Sequence, residues 1–212
     1  MIEVAIADPF VLIRQAVRRC VETTADMELI AETATPVHAA RLVRDHNPDV
    51  LLMEIAHTGR DGLDVVKDLL KVAGRTKVLI FTFETAPRTA SWIMRAGAHG
   101  FLPKTAEPDS LVAAIRAVHQ GEMYVHPDFQ KVFAQWHLRP SQGMPPDQQL
   151  SEREYQVMIH LAEGKKNRDI ANLLNISVKT VDTHRSNLLK KLGVHNNAEL
   201  TRFAIRNNYI SA

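Results

Sequence analysis

Cysteine is nearly absent from this chain. Cys20 is the single example in 212 residues, so no intramolecular disulfide can form. On the apolar side of a helical segment, such a thiol is expected as core filler rather than as a nucleophile. No apolar run approaches the roughly 20 residues needed to cross a bilayer. Met1-Ile2-Glu3-Val4 enters a strand-like segment with no basic region or cleavage site ahead of it. Neither a membrane span nor a signal peptide is expected, and the chain reads as cytoplasmic. Internal repeats and low-complexity tracts are missing too. The ten histidines show no metal-ligand spacing, so no metal site and no cofactor is expected. With no competent nucleophile either, an enzyme is the weakest of the functional classes.

What is present is ordinary globular material, 45% apolar and 24% charged, enough for one large domain or two small ones. The net charge of +2 becomes informative only when it is divided. Residues 148–212 carry ten Lys and Arg against six Asp and Glu, while residues 1–147 carry 16 against 18. A basic C-terminal third beside a slightly acidic remainder suggests a polyanion-binding module attached to something else.

The first 120 residues alternate between two periodicities. Strand-like segments at Ile2–Ala7, Met27–Ala31, Asp49–Glu54, Lys77–Thr82 and Gly100–Leu102 are each followed by a helical one: Arg14–Glu22, Val37–His46, Leu63–Val72, Ala86–Ala96 and Ser110–His119. In the first helix, Ala16, Val17, Cys20 and Val21 share the apolar face. Continuous apolar strands alternating with helices predict a parallel sheet covered on both faces. The expected fold is α/β, a flavodoxin-like doubly wound five-stranded parallel sheet over residues 1–122. Pro127, Pro140, Pro145 and Pro146, with Gln, Ser and Gly, mark a linker over 123–147, in which Phe129, Val132, Phe133 and Trp136 suit a short docking helix.

From 148 to 212 the pattern is helical alone, an all-α four-helix domain. Ser151 and Glu154 have the spacing of a capping box, and Gly164 is a natural stop. Asn167 is expected to cap a second helix, and Ser177 a third running through Leu192. Asn197–Asn207 makes the fourth. The third helix presents Lys179, Asp182, Thr183, Arg185 and Ser186 and buries Val181, Leu188, Leu189 and Leu192, with His184 read as a core histidine. A helix of that width and polarity suits the major groove. A plain four-helix bundle with a solvated basic face fits the same periodicity.

Leu150-Ser151-Glu152-Arg153-Glu154, Asn167-Arg168-Asp169-Ile170-Ala171, Ser177-Val178-Lys179-Thr180-Val181-Asp182-Thr183-His184 and Leu192-Gly193-Val194 closely resemble the LuxR-type helix-turn-helix. The resemblance implies that Ser177–Leu192 is the recognition helix. Lys179, Thr180 and Arg185 are then expected near phosphates, and Asp182, Thr183 and Ser186 near base edges. It further implies double-stranded DNA as partner and a homodimer contact through the last helix.

Residues 2–121 resemble the receiver domain of NarL/FixJ-type response regulators, through Ile6-Ala7-Asp8, the segment Asp49 to Gly62, Thr82, Arg95-Ala96-Gly97-Ala98-His99-Gly100-Phe101 and Lys104. In that family an acidic pair and a phosphate-accepting Asp hold Mg²⁺, while a Thr and a Lys bind the phosphoryl oxygens. The resemblance matches Asp8, Thr82, Phe101 and Lys104. It fails at Pro9, which replaces the second acid, and at Glu54, which replaces the acceptor. Thr58 also stands where the family usually has Pro. Mg²⁺ demands near-octahedral oxygen geometry, and in-line attack depends on position. A degenerate, non-accepting site is expected.

Three readings of Glu54 stand: a fixed negative charge imitating the phosphorylated state, a structural acid holding Lys104, or part of a rebuilt pocket for a small ligand or partner protein. The expected function is sequence-specific DNA-binding transcription regulation, with input by level, ligand or partner. The competing reading is an interaction module that titrates other regulators.

Overall fold

The structure, a computed structural model, describes residues 1–55, 62–84, 87–130, 149–207 and 209–210. Thr58, Val132, Phe133, Trp136 and the prolines at 140, 145 and 146 lie outside them. The chain divides into two compact units, Met1–Leu138 and Arg139–Ala212.

In the first unit, β1 (Ile2–Ala7), α1 (Val11–Glu22), β2 (Met27–Thr33), α2 (Ala39–His46), β3 (Val50–Met53) and α3 (Gly62–Leu70) follow in order. They continue as β4 (Lys77–Thr82), α4 (Pro87–Arg95), β5 (Gly100–Pro103), α5 (Pro108–His119) and β6 (Tyr124–Val125). All pairs are parallel, in the order β2-β1-β3-β4-β5-β6. Successive strand residues point to opposite faces, and both faces are apolar. Val4, Ile6, Val50 and Leu52 pack with Val17 and Val21 of α1 and Ile115 and Val118 of α5. Ala5, Ala7, Leu51 and Met53 pack with Val43 of α2, Val66 of α3 and Ile93 of α4. The doubly wound expectation is borne out.

The five-strand expectation needs correction. Two residues are too short to show any periodicity, yet β6 pairs with β5, as the Tyr124 and His126 amides donate to the His99 and Phe101 carbonyls at 3.1 and 3.2 Å. Gly100 makes room for this edge: a Cβ there would meet Leu79 Cδ1 at 2.7 Å and the Tyr124 carbonyl at 3.1 Å. The following residues 127–130 are helical and bury Phe129, whose ring meets Phe101 edge-on at 5.2 Å. A second correction concerns α1. It begins at Val11, and Ala16 is exposed while Val17 and Val21 are buried, because the sheet lies on a narrower stripe than the apolar sequence suggests.

The second unit holds α6 (Glu152–Ala162), α7 (Asn167–Leu174), α8 (Val178–Leu192) and α9 (Asn197–Arg206). The capping box forms as expected: the Glu154 amide donates to the Ser151 hydroxyl, and the Ser151 amide to Glu154. Ser177 caps α8 by accepting from the Thr180 amide at 3.0 Å. Asn175 adopts φ +52° to turn tightly between α7 and α8, and Gly193 at φ +67° ends α8. Met158, Leu161, Ile170, Leu174, Val181, Leu188 and Leu200 form the core. Ala171, 4% exposed, lets α7 and α8 approach.

Three expectations in this unit fail. Asn167 is the first helical residue rather than the cap, which is Lys166. Leu189 is only half-buried. His184 is also half-buried, not a hydrogen-bonded core group, because α8 rests on its neighbours along a single seam.

Candidate functional sites

The strand order reverses between β1 and β3, and ligands of open α/β sheets bind beyond the strand ends at such a switch point. Asp8 follows β1 and Glu54 follows β3, their amides extending the ladder to Thr33 and Ala7 at 2.9 and 3.0 Å. Thr82 ends β4. Lys104 follows β5, its amide donating to the Thr82 carbonyl at 2.9 Å. Parallel register therefore brings four sequence-distant side chains to one point.

These side chains already engage one another. Lys104 Nζ donates to Glu54 Oε2 at 2.5 Å and lies 2.6 Å from Asp8 Oδ2, an ion pair without hydrogen-bond alignment. The three side chains are 0–1% exposed. Glu54 Oε1 accepts from the Thr82 hydroxyl at 2.5 Å and from the Ile55 amide at 2.7 Å, and Oε2 from the Phe83 amide at 3.3 Å. Thr82 in turn accepts from the Glu84 amide at 2.9 Å. Since Pro9 has no N–H, the Phe10 amide is the donor that reaches Asp8 Oδ1, at 2.8 Å. Burial holds the Asp8 carboxyl above its ordinary range, outweighing the opposing pull of Lys104.

Two residues that sequence reasoning missed close the cluster. The rings of Phe10 and Phe83 lie 4.9 and 4.8 Å from Lys104 Nζ and meet each other edge to face at 5.7 Å. Both contacts suit cation–π attraction, which is stronger in a desolvated setting. The signal was present, since each Phe directly follows a site motif, Asp8-Pro9 and Thr82. Phe101, expected at this site, is fully buried in the apolar core.

The donor set does not fit Mg²⁺. An ammonium group stands between the two carboxylates a cation would bridge, Pro9 offers no ligand, and both Glu54 oxygens are engaged. Among the described residues no cluster of three or more His, Cys, Asp or Glu is placed to hold a metal.

In the second unit, α8 presents Lys179, Asp182, Thr183 and Ser186 to solvent, with Thr180 and Arg185 half-buried. The hydroxyls of Thr183 and Ser186 donate back to the carbonyls of Lys179 and Asp182 at 3.0 and 2.9 Å. Asp182 Oδ1 accepts from the side-chain Nδ2 of Asn167 at 2.5 Å, and Arg185 Nε donates to Asn197 Oδ1 at 2.9 Å. The far end of α8 is tied to α6. Lys191 donates to Glu154 at 2.6 Å, and Glu154 is 4% exposed. Burial alone would raise the Glu154 pKa. The hydrogen bonds from Lys191 and the Ser151 amide outweigh it and hold the group below the usual carboxylate range.

The family model described as "Response regulator receiver domain" matches residues 4–116, and that described as "Bacterial regulatory proteins, luxR family" matches residues 148–204. The chain is 32% identical over 212 residues to the response regulator UvrY of Escherichia coli K12, covering 100% of this chain and 97% of that protein. It is 30% identical to the response regulator GacA of Pseudomonas aeruginosa, covering 100% and 99%. RcsB from Salmonella enterica serovar Typhimurium, solved bound to the promoter rprA with the phosphomimetic BeF3-, superposes with a TM-score of 0.74 at 22% identity. That match covers 100% of this chain and 98% of the other. Among the described residues no helix is long and apolar enough to cross a membrane.

Proposed function

The chain belongs to the response regulators that join a receiver domain to a luxR-type DNA-binding domain, and we propose that it regulates transcription by sequence-specific DNA binding through a receiver that accepts no phosphate. The observation that carries the receiver half of this reading is the state of Glu54. Thr82 and Lys104, the groups the family resemblance assigns to phosphoryl oxygens, are already bonded to its carboxylate. A buried ion pair at the acceptor position supports a fixed receiver, with input by protein level, ligand or partner protein rather than by a kinase. The carboxylate has fewer oxygens and less charge than a phosphoryl group. A structural acid holding Lys104 therefore accounts for the geometry without invoking an imitation of phosphate.

Mg²⁺ with beryllofluoride is expected to leave the receiver's unfolding midpoint unchanged. Glu54→Asp is expected to take up no phosphoryl group from a small-molecule donor, since Pro9 still supplies no metal ligand. A phosphorylated Glu54→Asp product in intact-mass measurement would overturn the non-accepting receiver.

On DNA, the reading is a homodimer with half-sites about one helical turn apart, roughly 10–10.5 bp, or a multiple of that. Basic residues supply salt-dependent affinity and the exposed face of α8 supplies sequence choice. Arg185→Ala is expected to weaken binding to all duplexes by about tenfold at physiological salt and to flatten the salt dependence. Thr183→Ala is expected to change sequence preference instead, because it removes the methyl group that can contact thymine. Electrophoretic titration on genomic fragments checks both. If the protein selects no fragment, it is better read as a titrating interaction module.

A further inference from the structure

The three residues of α8 assigned to base edges are not equivalent. Thr183 and Ser186 have spent their hydroxyl donors on their own helix, at the carbonyls of Lys179 and Asp182. Such back-bonding uses the one O–H donor of each hydroxyl and leaves it only as an uncharged acceptor. Asp182 has no donor to spend. Its Oδ1 accepts from Asn167 Nδ2 at 2.5 Å, across 15 residues and the tight turn at Asn175. Its Oδ2 accepts no hydrogen bond among the described residues. The carboxylate is thus held by one oxygen from α7 and offers the other from an exposed position on α8.

We infer that Asn167 is a specificity-determining positioning residue, holding the Asp182 carboxylate so that its second oxygen selects a base-pair edge that carries an amino donor. This rests on the reading of α8 as the recognition helix. A carboxylate accepts from cytosine N4 in the major groove. The same charge is repelled by acceptor-only edges and by phosphates, so it discriminates as much by rejecting wrong sequences as by binding the right one. Both effects depend on where the oxygen sits. A free Asp on a helix surface can swing away from a mismatched base, whereas one tethered by Asn167 cannot. The side chain of Asn167 is free for this role because Lys166, not Asn167, occupies the cap position of α7.

The test uses the full chain against a randomised duplex pool, followed by titration of the preferred duplex and its single-base variants at fixed salt. Asp182→Ala is expected to flatten discrimination at one base pair of each half-site by about fivefold or more, the usual scale of a mismatch. Asn167→Ala is expected to flatten the same base pair, leave the other positions and the salt dependence unchanged, and add nothing in the double variant. Asn167→Leu, which keeps the size and removes the amide donor without adding charge, is expected to reproduce the loss. Thermal midpoints of all variants identify any that fail to fold, and the Asn167→Leu variant then carries the comparison. A uniform loss of affinity in Asn167→Ala, or additive effects in the double variant, would overturn the inference. If wild type selects no sequence, the regulator reading and this inference fall together. Selection by wild type that persists unchanged in Asn167→Ala sinks the inference alone.

Discussion

Lys104→Met is expected to destabilise the receiver domain by about 3–5 kcal/mol, the cost of removing one partner from a buried ion pair. The cluster gives the physical reason. Glu54 and Asp8 are 0–1% exposed and share a single ammonium group, so its removal leaves two carboxylates facing one another in a dry site. Phe10 and Phe83 lose their cation as well. Trp92 packs against the apolar core of this unit, so its fluorescence in a urea titration, read in a Trp136→Phe background, reports on the unit's unfolding. A second variant separates the stranded charge from the lost packing. Glu54→Gln is expected to destabilise wild type but to stabilise the Lys104→Met protein, because the amide oxygen can still accept from Thr82 and Ile55 while no second charge is stranded beside Asp8. If Lys104→Met costs less than about 1 kcal/mol, water reaches the cluster and the sealed acceptor site is not a correct description.

Glu154→Ala is expected to destabilise the DNA-binding domain by about 2 kcal/mol while leaving the tryptophan-reported transition in place. The substitution removes half of the capping box of α6 and the carboxylate that anchors Lys191 near the end of α8. Lys191 keeps a bond to the Gln149 carbonyl and is 37% exposed, so it rehydrates, which keeps the loss below that of a fully buried pair. The pH dependence follows from the direction of the Glu154 shift. A carboxyl held low in the folded state contributes stability that is present above its unfolded pKa of about 4.3 and is lost as pH falls through the folded value. Far-UV circular dichroism melts of wild type and Glu154→Ala should therefore converge in acid. A difference that persists undiminished below the folded pKa would mean the cap geometry, not the charge, carries the effect.

Much of this architecture was legible in local pattern. Val4, Ile6, Val50 and Leu52 alternate with Ala5, Ala7, Leu51 and Met53, and a strand that is apolar on both sides has few homes other than a covered parallel sheet. Ser151, Ser177 and Glu154 act within three or four residues of themselves, so their capping roles could be read from spacing. Asn167 differs by one position at a helix start, where neighbouring polar residues fit the cap equally well; Ala16, Leu189 and His184 differ for one common reason. Helical periodicity marks a stripe of permitted burial, while the width actually buried depends on the neighbouring element. The two residues of β6 carried no pattern at all. They form a strand because the edge of β5 offers its carbonyls there.

By itself, the sequence determined which chemical groups exist: a pyrrolidine ring at Pro9 instead of a carboxylate, one extra methylene at Glu54, an acid at Asp182 on a basic helix. Pro9 and Glu54 are also the two positions at which the family's acidic site is departed from. Only the tertiary structure decided what the remaining groups do. Asp8, Glu54, Thr82 and Lys104 are separated by up to 96 positions, and no local rule tells that the ammonium lies between the two acids or that two phenyl rings cover it. Likewise Asn167 and Asp182 meet only because a left-handed turn at Asn175 folds α7 against α8. Local sequence sets periodicity and donor chemistry. The satisfaction of a buried charge is a long-range property, settled by which strand ends and helix ends the fold places side by side.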